Sequence, residues 1–318
     1  MIERVKVAVV GVGNNVSALV QGIALHRATG SVAGIRQPVL DGLGVGDIEV
    51  AAAFAVSEKK IGKDLTEAIF MAPNNYPRLV GELPSSEVMV RRGLTDGTGV
   101  DRVAEELAGI EVVLYSAPSG RQETALAYAE AALRAGAAFV NTTSDAVARD
   151  ADMLKRYVAA GLPLLGDDLT SQFGTSVVHH ALLRLLEERG LTLTGSYQVN
   201  LGGTEDFRNL VENDNTKMRS KLNALASEGA AAERVRVAPL GYIPHLESQK
   251  VAHINIEALA WGETPVSLDV KLKVHDPSGG AGVTVDLIRM AASALRQGRA
   301  GYVPEAGPLL KSPPGTSV

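Results

Sequence analysis

Short, continuously apolar runs alternate with helix-period segments through the first half of the chain. The runs fall at Val5–Val10, 50–56, 111–116, 138–141 and 162–166, and helical patterns at 17–26, 122–135 and near 151–160 lie between them. Uninterrupted apolar strands separated by helices predict a parallel sheet covered on both faces. The glycine-rich stretch 30–46 reads as an irregular loop, and 74–99 carries Pro and Gly punctuation without a clear period.

After Gly190 the rhythm changes. Residues 195–201, 234–239, 250–260 and 267–274 alternate with a period of two, without crossover helices between most of them. That pattern predicts a mostly antiparallel sheet, one face on a core and the other on a ligand or a subunit. A helical pattern returns at 281–296, with Val285, Ile288, Ala292 and Leu295 on its apolar positions. The expected fold class is α/β, a doubly wound parallel sheet interrupted by a mostly antiparallel α+β domain.

Composition narrows the function classes. A chain of 318 residues accommodates two domains, and 46% apolar with 21% charged residues fits a soluble globular protein. A net charge of −5 gives no basic excess for nucleic acid or an anionic membrane, although local lysines still suit a small phosphate. With no cysteine, disulfides, thiolate metal sites and cysteine nucleophiles are excluded. His245, His253 and His275 are scattered without metal-ligand spacing, so no metal is expected. His179 and His180 sit in an apolar helical stretch and read as packing. No signal-peptide layout follows Met1 and no apolar stretch approaches the roughly 20 residues that span a bilayer, so a cytoplasmic protein is expected.

The candidate chemistry begins at "VAVVGVGNNVSALVQG", residues 7–22. Gly11 and Gly13 allow a tight turn and close approach of a pyrophosphate to the N-terminus of the following helix, and Asn14, Asn15 and Ser17 add side-chain donors. Val16 stands where the third glycine of G-x-G-x-x-G is usual. The plain alternative is a tight strand–helix turn without a ligand. The second strand, "VAAAFAVSEKK", ends in Ala55 and Ser57 before Glu58, Lys59 and Lys60, so the acid that usually holds the adenosine ribose is absent or displaced.

Four further stretches stand out: "GDDLTSQFGT" (166–175), "YQVNLGGTEDFRNL" (197–210), "SK" (220–221) and "LLKSPP" (309–314). Together with the opening loop, and in this order, they resemble the inositol-phosphate synthases in their shorter bacterial and archaeal form. The likeness spans nearly the whole chain, including "AFAVSEKKIGKDLTEAI" and "LDVKLKVHDPSGGAGVTVDLIR". It implies a Rossmann-like dinucleotide domain at 1–194 and 277–318, with a catalytic and tetramerisation domain at 195–276. It also implies an isomerase that uses NAD without consuming it. The family oxidises C5 of glucose 6-phosphate, enolises C6, closes the ring by an internal aldol step onto C1 and reduces C5 again.

Carried over by position, the resemblance makes Asp167 and Ser171 cofactor-binding, along with Gly11, Gly13, Asn14, Asn15, Ser17 and Ser116. It makes Asp168, Lys221, Lys250, Lys311 and Asp276 catalytic, the lysines serving oxyanions that develop beside a transient ketone. Gly202, Gly203, Asp206, Asn209 and Lys271 become substrate-binding. Simpler readings stand beside several of these: Asp168 as a helix cap, Lys271 and Lys221 as solvated side chains. Lys311, between two leucines and two prolines, stands in an odd place for a surface lysine, which favours function.

The chain also departs from the family pattern. Thr170 stands at the family's lysine in D-D-x-K-S, Thr204 at its asparagine after G-G, Gly241 at the aspartate of P-S-D-Y, and Ala55 at the strand-end aspartate. Competing readings are therefore a cyclase acting on another sugar phosphate, such as a ketose phosphate, a non-catalytic dinucleotide-binding module, or a plain dehydrogenase.

Overall fold

The computed structural model describes residues 4–213, 234–237 and 241–315. Strand β1 (Val5–Val10) turns into helix α1 (Asn14–Thr29), and the hairpin β2 (Val39–Leu40) and β3 (Leu43–Gly44) precedes β4 (Ile48–Ala55). Next come α2 (Leu65–Ala68), β5 (Val90–Arg92), α3 (Val100–Glu106), β6 (Val112–Tyr115) and α4 (Gln122–Ala135). They are followed by β7 (Ala138–Asn141), α5 (Ala151–Ala160) and β8 (Leu164–Leu165). Six of these strands form one sheet in the order β5-β4-β1-β6-β7-β8, each pair parallel. The chain winds outward from β1 to β5, then crosses to β6 and winds the other way. The crevice beyond β1 and β6 is thus the topological switch point, where open α/β sheets bind ligands.

The second half contains α6 (Thr175–Glu188), β9 (Thr192–Gly202), α7 (Glu205–Asn213), β10 (Val235–Val237), β11 (Gly241–Tyr242), β12 (Gln249–Leu259), β13 (Pro265–His275) and α8 (Asp276–Arg296). Strands β9, β12 and β13 are antiparallel neighbours, as the alternation predicts. Strands β10 and β11 instead pair with β9 in parallel, so the sheet is mixed rather than antiparallel throughout. The reason is the connection: α7 lies between them and β9, and a crossover brings a strand back in the same direction.

Alternation sorts the core into two layers. Val5, Val7 and Val9 face a cluster that includes Leu19 and Ile23 of α1 and Leu287, Ile288 and Ala291 of α8. Ala8 and Val10 face the other cluster, with Val103 of α3, Tyr128 of α4 and Tyr157 of α5. Helix α8 begins five residues earlier than the apolar period suggests. Pro277 sits in its first turn, where no amide donor is needed. Gly279, Gly280 and Gly282 then leave room for Ser171, Asn15 and Gln172, whose atoms lie only 2.3–3.0 Å from where a Cβ would be. Further along, fully buried Arg289 bonds Asp286 and the carbonyls of Gln37, Pro38 and Leu43, which fixes the β2–β3 hairpin on α8.

In the mixed sheet, Ser196, Gln198 and Asn200 share a face with Ala252, Ile254 and Ile256, all buried. Helix α6 packs there, with His179 lying between the Ser196 hydroxyl (2.6 Å) and Gln198 Oε1 (3.1 Å). Burial lowers the His179 pKa, consistent with a neutral packing histidine. No helix among the described residues is long and apolar enough to cross a membrane.

Candidate active site

A cleft of about 510 Å³ opens at the C-terminal ends of the parallel strands. Its walls come from the β1–α1 loop, the residues after β4, β6, β7 and β8, the starts of α6, α7 and α8, Lys250 on β12 and Lys311 near the C-terminus.

The two glycines of the first loop have different jobs. Gly11 takes φ +91°, and a Cβ there would lie 2.6 Å from the Ser116 carbonyl oxygen, so the fold itself requires glycine. Gly13 has an ordinary extended φ of −98° and nothing within 4 Å of its Cβ position. Its lack of a side chain keeps open the approach to α1, which has neither a side-chain cap nor an acid in its first turn. Such a terminus favours an anion. Asn14 braces the loop, its Oδ1 accepting from the amides of Asn75 (2.9 Å) and Tyr76 (3.1 Å). Asn15 Nδ2 donates to Ser116 Oγ at 3.0 Å, while Asn15 Oδ1 is buried without a partner. An open glycine and an uncapped helix N-terminus fit a dinucleotide's pyrophosphate arm, whereas the orphan Asn15 oxygen suits a hydroxyl or amide donor of a ligand. Ser17 does not join them: it is fully buried, faces away from the cleft and accepts from Gln21.

Lys60, in the sequence merely a residue after the missing acid, belongs to this loop. It is 3% exposed, and its ammonium donates to the Val12 carbonyl (2.6 Å) and to Asn74 Oδ1 (2.8 Å). Burial lowers its pKa to about 8. A lysine in a short polar run after a strand gives no sign of burial; only the tertiary packing of 74–76 against the loop reveals it.

On the opposite wall, segments 167–170 and 309–312 run antiparallel and lock together. The amide of Lys311 donates to the Asp168 carbonyl (2.7 Å), Thr170 to Leu309 (2.8 Å), and Asp167 and Ser312 exchange bonds. This brings Lys311 Nζ to 2.7 Å from Asp168 Oδ1, both side chains almost out of solvent. Asp168 holds φ +57°, a costly conformation for a non-glycine residue of the kind that clusters at functional sites. Asp168 therefore does not act as the cap of α6. That helix starts from Gly174 with no side-chain cap and no acid in its first turn, and Thr175 and Ser176 line the cleft.

A second lysine–aspartate pair completes the wall: Lys250 Nζ lies 3.1 Å from Asp276 Oδ1 at the start of α8. Ser171, Thr170, Asp206 and Asn209 also line the cleft, and Asn209 Nδ2 donates to the Ser119 carbonyl at 3.4 Å.

Several expected site residues lie elsewhere. Asp167 is fully buried behind the cleft, accepting from Asn141, from the amides of Val147, Ala148 and Arg149, and from the Arg149 side chain. Its burial pushes the carboxyl up, against the pull of those donors. Gly202 and Gly203 serve packing, since Cβ atoms there would meet the Phe207 ring at 2.5 Å and the Glu247 amide at 2.4 Å. The Gly203 amide is already committed to the Gln249 carbonyl. Lys271 is exposed and pairs in register with His253, on the face of the sheet opposite Lys250. Gly241 on β11 packs beside Leu201, away from the cleft. Lys221 lies outside the described residues.

A doubly wound sheet with an anion-ready glycine loop and two partly buried lysine–aspartate pairs in one cleft defines a Rossmann-type enzyme scaffold. The family profile for myo-inositol-1-phosphate synthase matches residues 174–277. An inositol-3-phosphate synthase of Mycolicibacterium smegmatis is 36% identical over 98% of this chain and 93% of its own length. The crystal structure of Ari2 is 48% identical, with a TM-score of 0.90 over 99% of this chain and 94% of that one. A myo-inositol-1-phosphate synthase-related protein from Thermotoga maritima, 22% identical, shares the fold with a TM-score of 0.83 over 99% of this chain and 94% of that one. The chain belongs to the inositol-3-phosphate synthase family, and with it to the isomerase-type enzymes.

Proposed function

We propose that this protein is an NAD-dependent cyclase that converts glucose 6-phosphate to an inositol phosphate through oxidation, enolisation, internal aldol closure and re-reduction. The observation that carries the reading is the convergence of Lys311–Asp168 and Lys250–Asp276 on the cleft that also receives the glycine loop. The coenzyme would be held by Gly11, Gly13, Asn14, Asn15 and Ser116, and when bound it supplies a hydride acceptor that returns the hydride at the end of the cycle.

The remaining chemistry falls to side chains. Each ammonium is fixed by its aspartate before substrate arrives, so donors aimed at a developing enolate or alkoxide need no reorganisation. The uncapped start of α6, with Thr175 and Ser176, suits the substrate's phosphate. Asp206 and Asn209 offer acceptors and donors to sugar hydroxyls, and Lys221 is assigned to the same group by its place in the sequence. Residues 195–276 form the catalytic and oligomerisation domain in this reading, between the two parts of the dinucleotide domain, in a cytoplasmic homotetramer. Incubation with NAD and a panel of hexose phosphates tests it, the expected result being a carbocyclic phosphate detected by NMR.

One observation favours a second reading, the same chemistry on another sugar phosphate such as a ketose phosphate. Thr170 lines the cleft where the family pattern has a lysine, so that part of the wall lacks its ammonium. Thr170→Lys raises glucose 6-phosphate cyclisation if the pocket is otherwise that of a synthase, and leaves it flat if the pocket is shaped for another sugar.

A further inference from the structure

The end of β4 is where a doubly wound dinucleotide site chooses between its two coenzymes. A carboxylate there accepts hydrogen bonds from the adenosine ribose and repels a 2′-phosphate; a neutral residue beside a cation admits the phosphate. In this chain β4 lies next to β1 and ends at Ala55, and Ala55, Val56 and Ser57 form that part of the cleft wall. None of the three carries charge.

The nearest acid, Glu58, is committed elsewhere. Its side chain is 71% exposed, and both of its oxygens are held by Arg92, at 2.5 and 2.8 Å. Arg92 is placed there by the sheet: it is the register partner of Ala55 on β5. Lys59 is exposed in the turn that follows, which closes through the Lys60 and Ile61 amides on the Ser57 carbonyl. The charged groups around the strand end are thus Glu58, Lys59, Lys60 and Arg92, with Lys60 held by Val12 and Asn74 and Arg102 donating to the Arg92 carbonyl. A 2′-phosphate would meet the Ser57 hydroxyl on the cleft wall, with Lys60 also lining the cleft, Arg92 next to Ala55 across the sheet and one acid already paired.

We propose that this cleft binds the 2′-phosphorylated dinucleotide, NADP(H), with a dissociation constant no more than tenfold above that for NAD(H). Ala55 and Ser57 set this tolerance by their neutrality, and Arg92 provides a bidentate partner for the phosphate once it exchanges from Glu58. The proposal rests on the reading of the cleft as a dinucleotide site.

Calorimetric titration of the full chain with NAD+ and NADP+ separates the two ideas. The expected result is binding of both, with constants within tenfold or with NADP+ tighter. Arg92→Met should then weaken NADP+ at least threefold more than NAD+. Ala55→Asp should shift the ratio at least tenfold toward NAD+; because Ala55 is buried, Ser57→Asp at the half-buried neighbouring site provides the same test should the first variant not fold. NAD+ binding with NADP+ more than tenfold weaker overturns the proposal and leaves the dinucleotide site standing. An unchanged ratio in Arg92→Met and in the folded aspartate variants overturns the residue assignment, and absence of binding by either coenzyme overturns the dinucleotide reading itself.

Discussion

Lys311 Nζ and Asp168 Oδ1 lie 2.7 Å apart, although 143 residues separate them in the chain. Their contact is imposed by the backbone, since the segments that carry them are hydrogen-bonded on both sides of the pair. The ammonium is therefore preorganised rather than free to sample rotamers in water. Lys311→Met retains most of the side-chain length and removes the charge. It should lower turnover about 10²-fold or more, with dinucleotide affinity unchanged because the glycine loop is untouched. Turnover within a few-fold of the wild type would remove Lys311 from the chemistry.

The first loop makes a paired prediction. Gly13→Leu should leave the melting temperature close to that of the wild type, because nothing lies within 4 Å of its Cβ position, and should abolish dinucleotide binding. Gly11→Ala should instead destabilise the fold, since its Cβ would collide with the backbone of Ser116 and its φ is +91°. Thermal melts with coenzyme titrations separate the two; a folded Gly13→Leu protein with normal affinity would falsify the placement.

In the proposed dinucleotide site, Lys60 should make coenzyme binding depend on pH. Burial lowers its pKa from the ordinary 10.5 to about 8, so the folded protein binds fewer protons here than the unfolded chain does between those values. This group's contribution to stability therefore rises with pH across that window, and Lys60→Met should flatten the rise in a pH series of chemical unfolding curves. An anionic coenzyme favours the charged lysine, so affinity should fall as pH increases past about 8. The same variant should weaken binding by about tenfold, as loss of bonds from a charged donor entails.

For the homotetramer proposed above, the β12–β13 hairpin is the expected contact. Trp261 at its tip is 97% exposed, and Val266 and Leu268, beside it on β13, are 38% and 37% exposed on the face that α6 covers elsewhere. These apolar side chains are available to a protein contact. Light scattering at micromolar concentration should give a tetramer mass, reduced by Leu268→Glu; a monomer mass for the wild type contradicts the assembly.

How much was legible in the sequence depended on whether local pattern or tertiary contact decided the matter. Helices α4 and α5 and strand β7 occur at the bounds their patterns indicate, the helices because Gly or Asp signals bracket them and one face is apolar, the strand because it is apolar throughout and buried on both faces. Strand β5 stayed hidden within 74–99: it is three residues long, and pairing with β4 rather than pattern makes it a strand. The start of α8 was obscured because its proline and glycines read as loop, whereas they make room for Ser171, Asn15 and Gln172. At the site, Asp168 and Lys311 each stand out in their motifs, but the contact between them is a tertiary fact. Motif order could not tell the lining side chain of Asp168 from the buried one of Asp167, nor show that Gly202 and Gly203 face Phe207 and Glu247. Those distinctions depend on which way a side chain points after the chain has turned.

In the proposed reaction, hydride removal, ring closure and hydride return occur in one cleft on one substrate. The most direct measurement is a single-turnover reaction in which reduced nicotinamide absorbance is followed in time while the quenched product is identified by NMR. The account predicts a transient rise and fall of reduced coenzyme with a carbocyclic phosphate as product. A lasting stoichiometric build-up of reduced coenzyme with an open-chain oxidised sugar would contradict it.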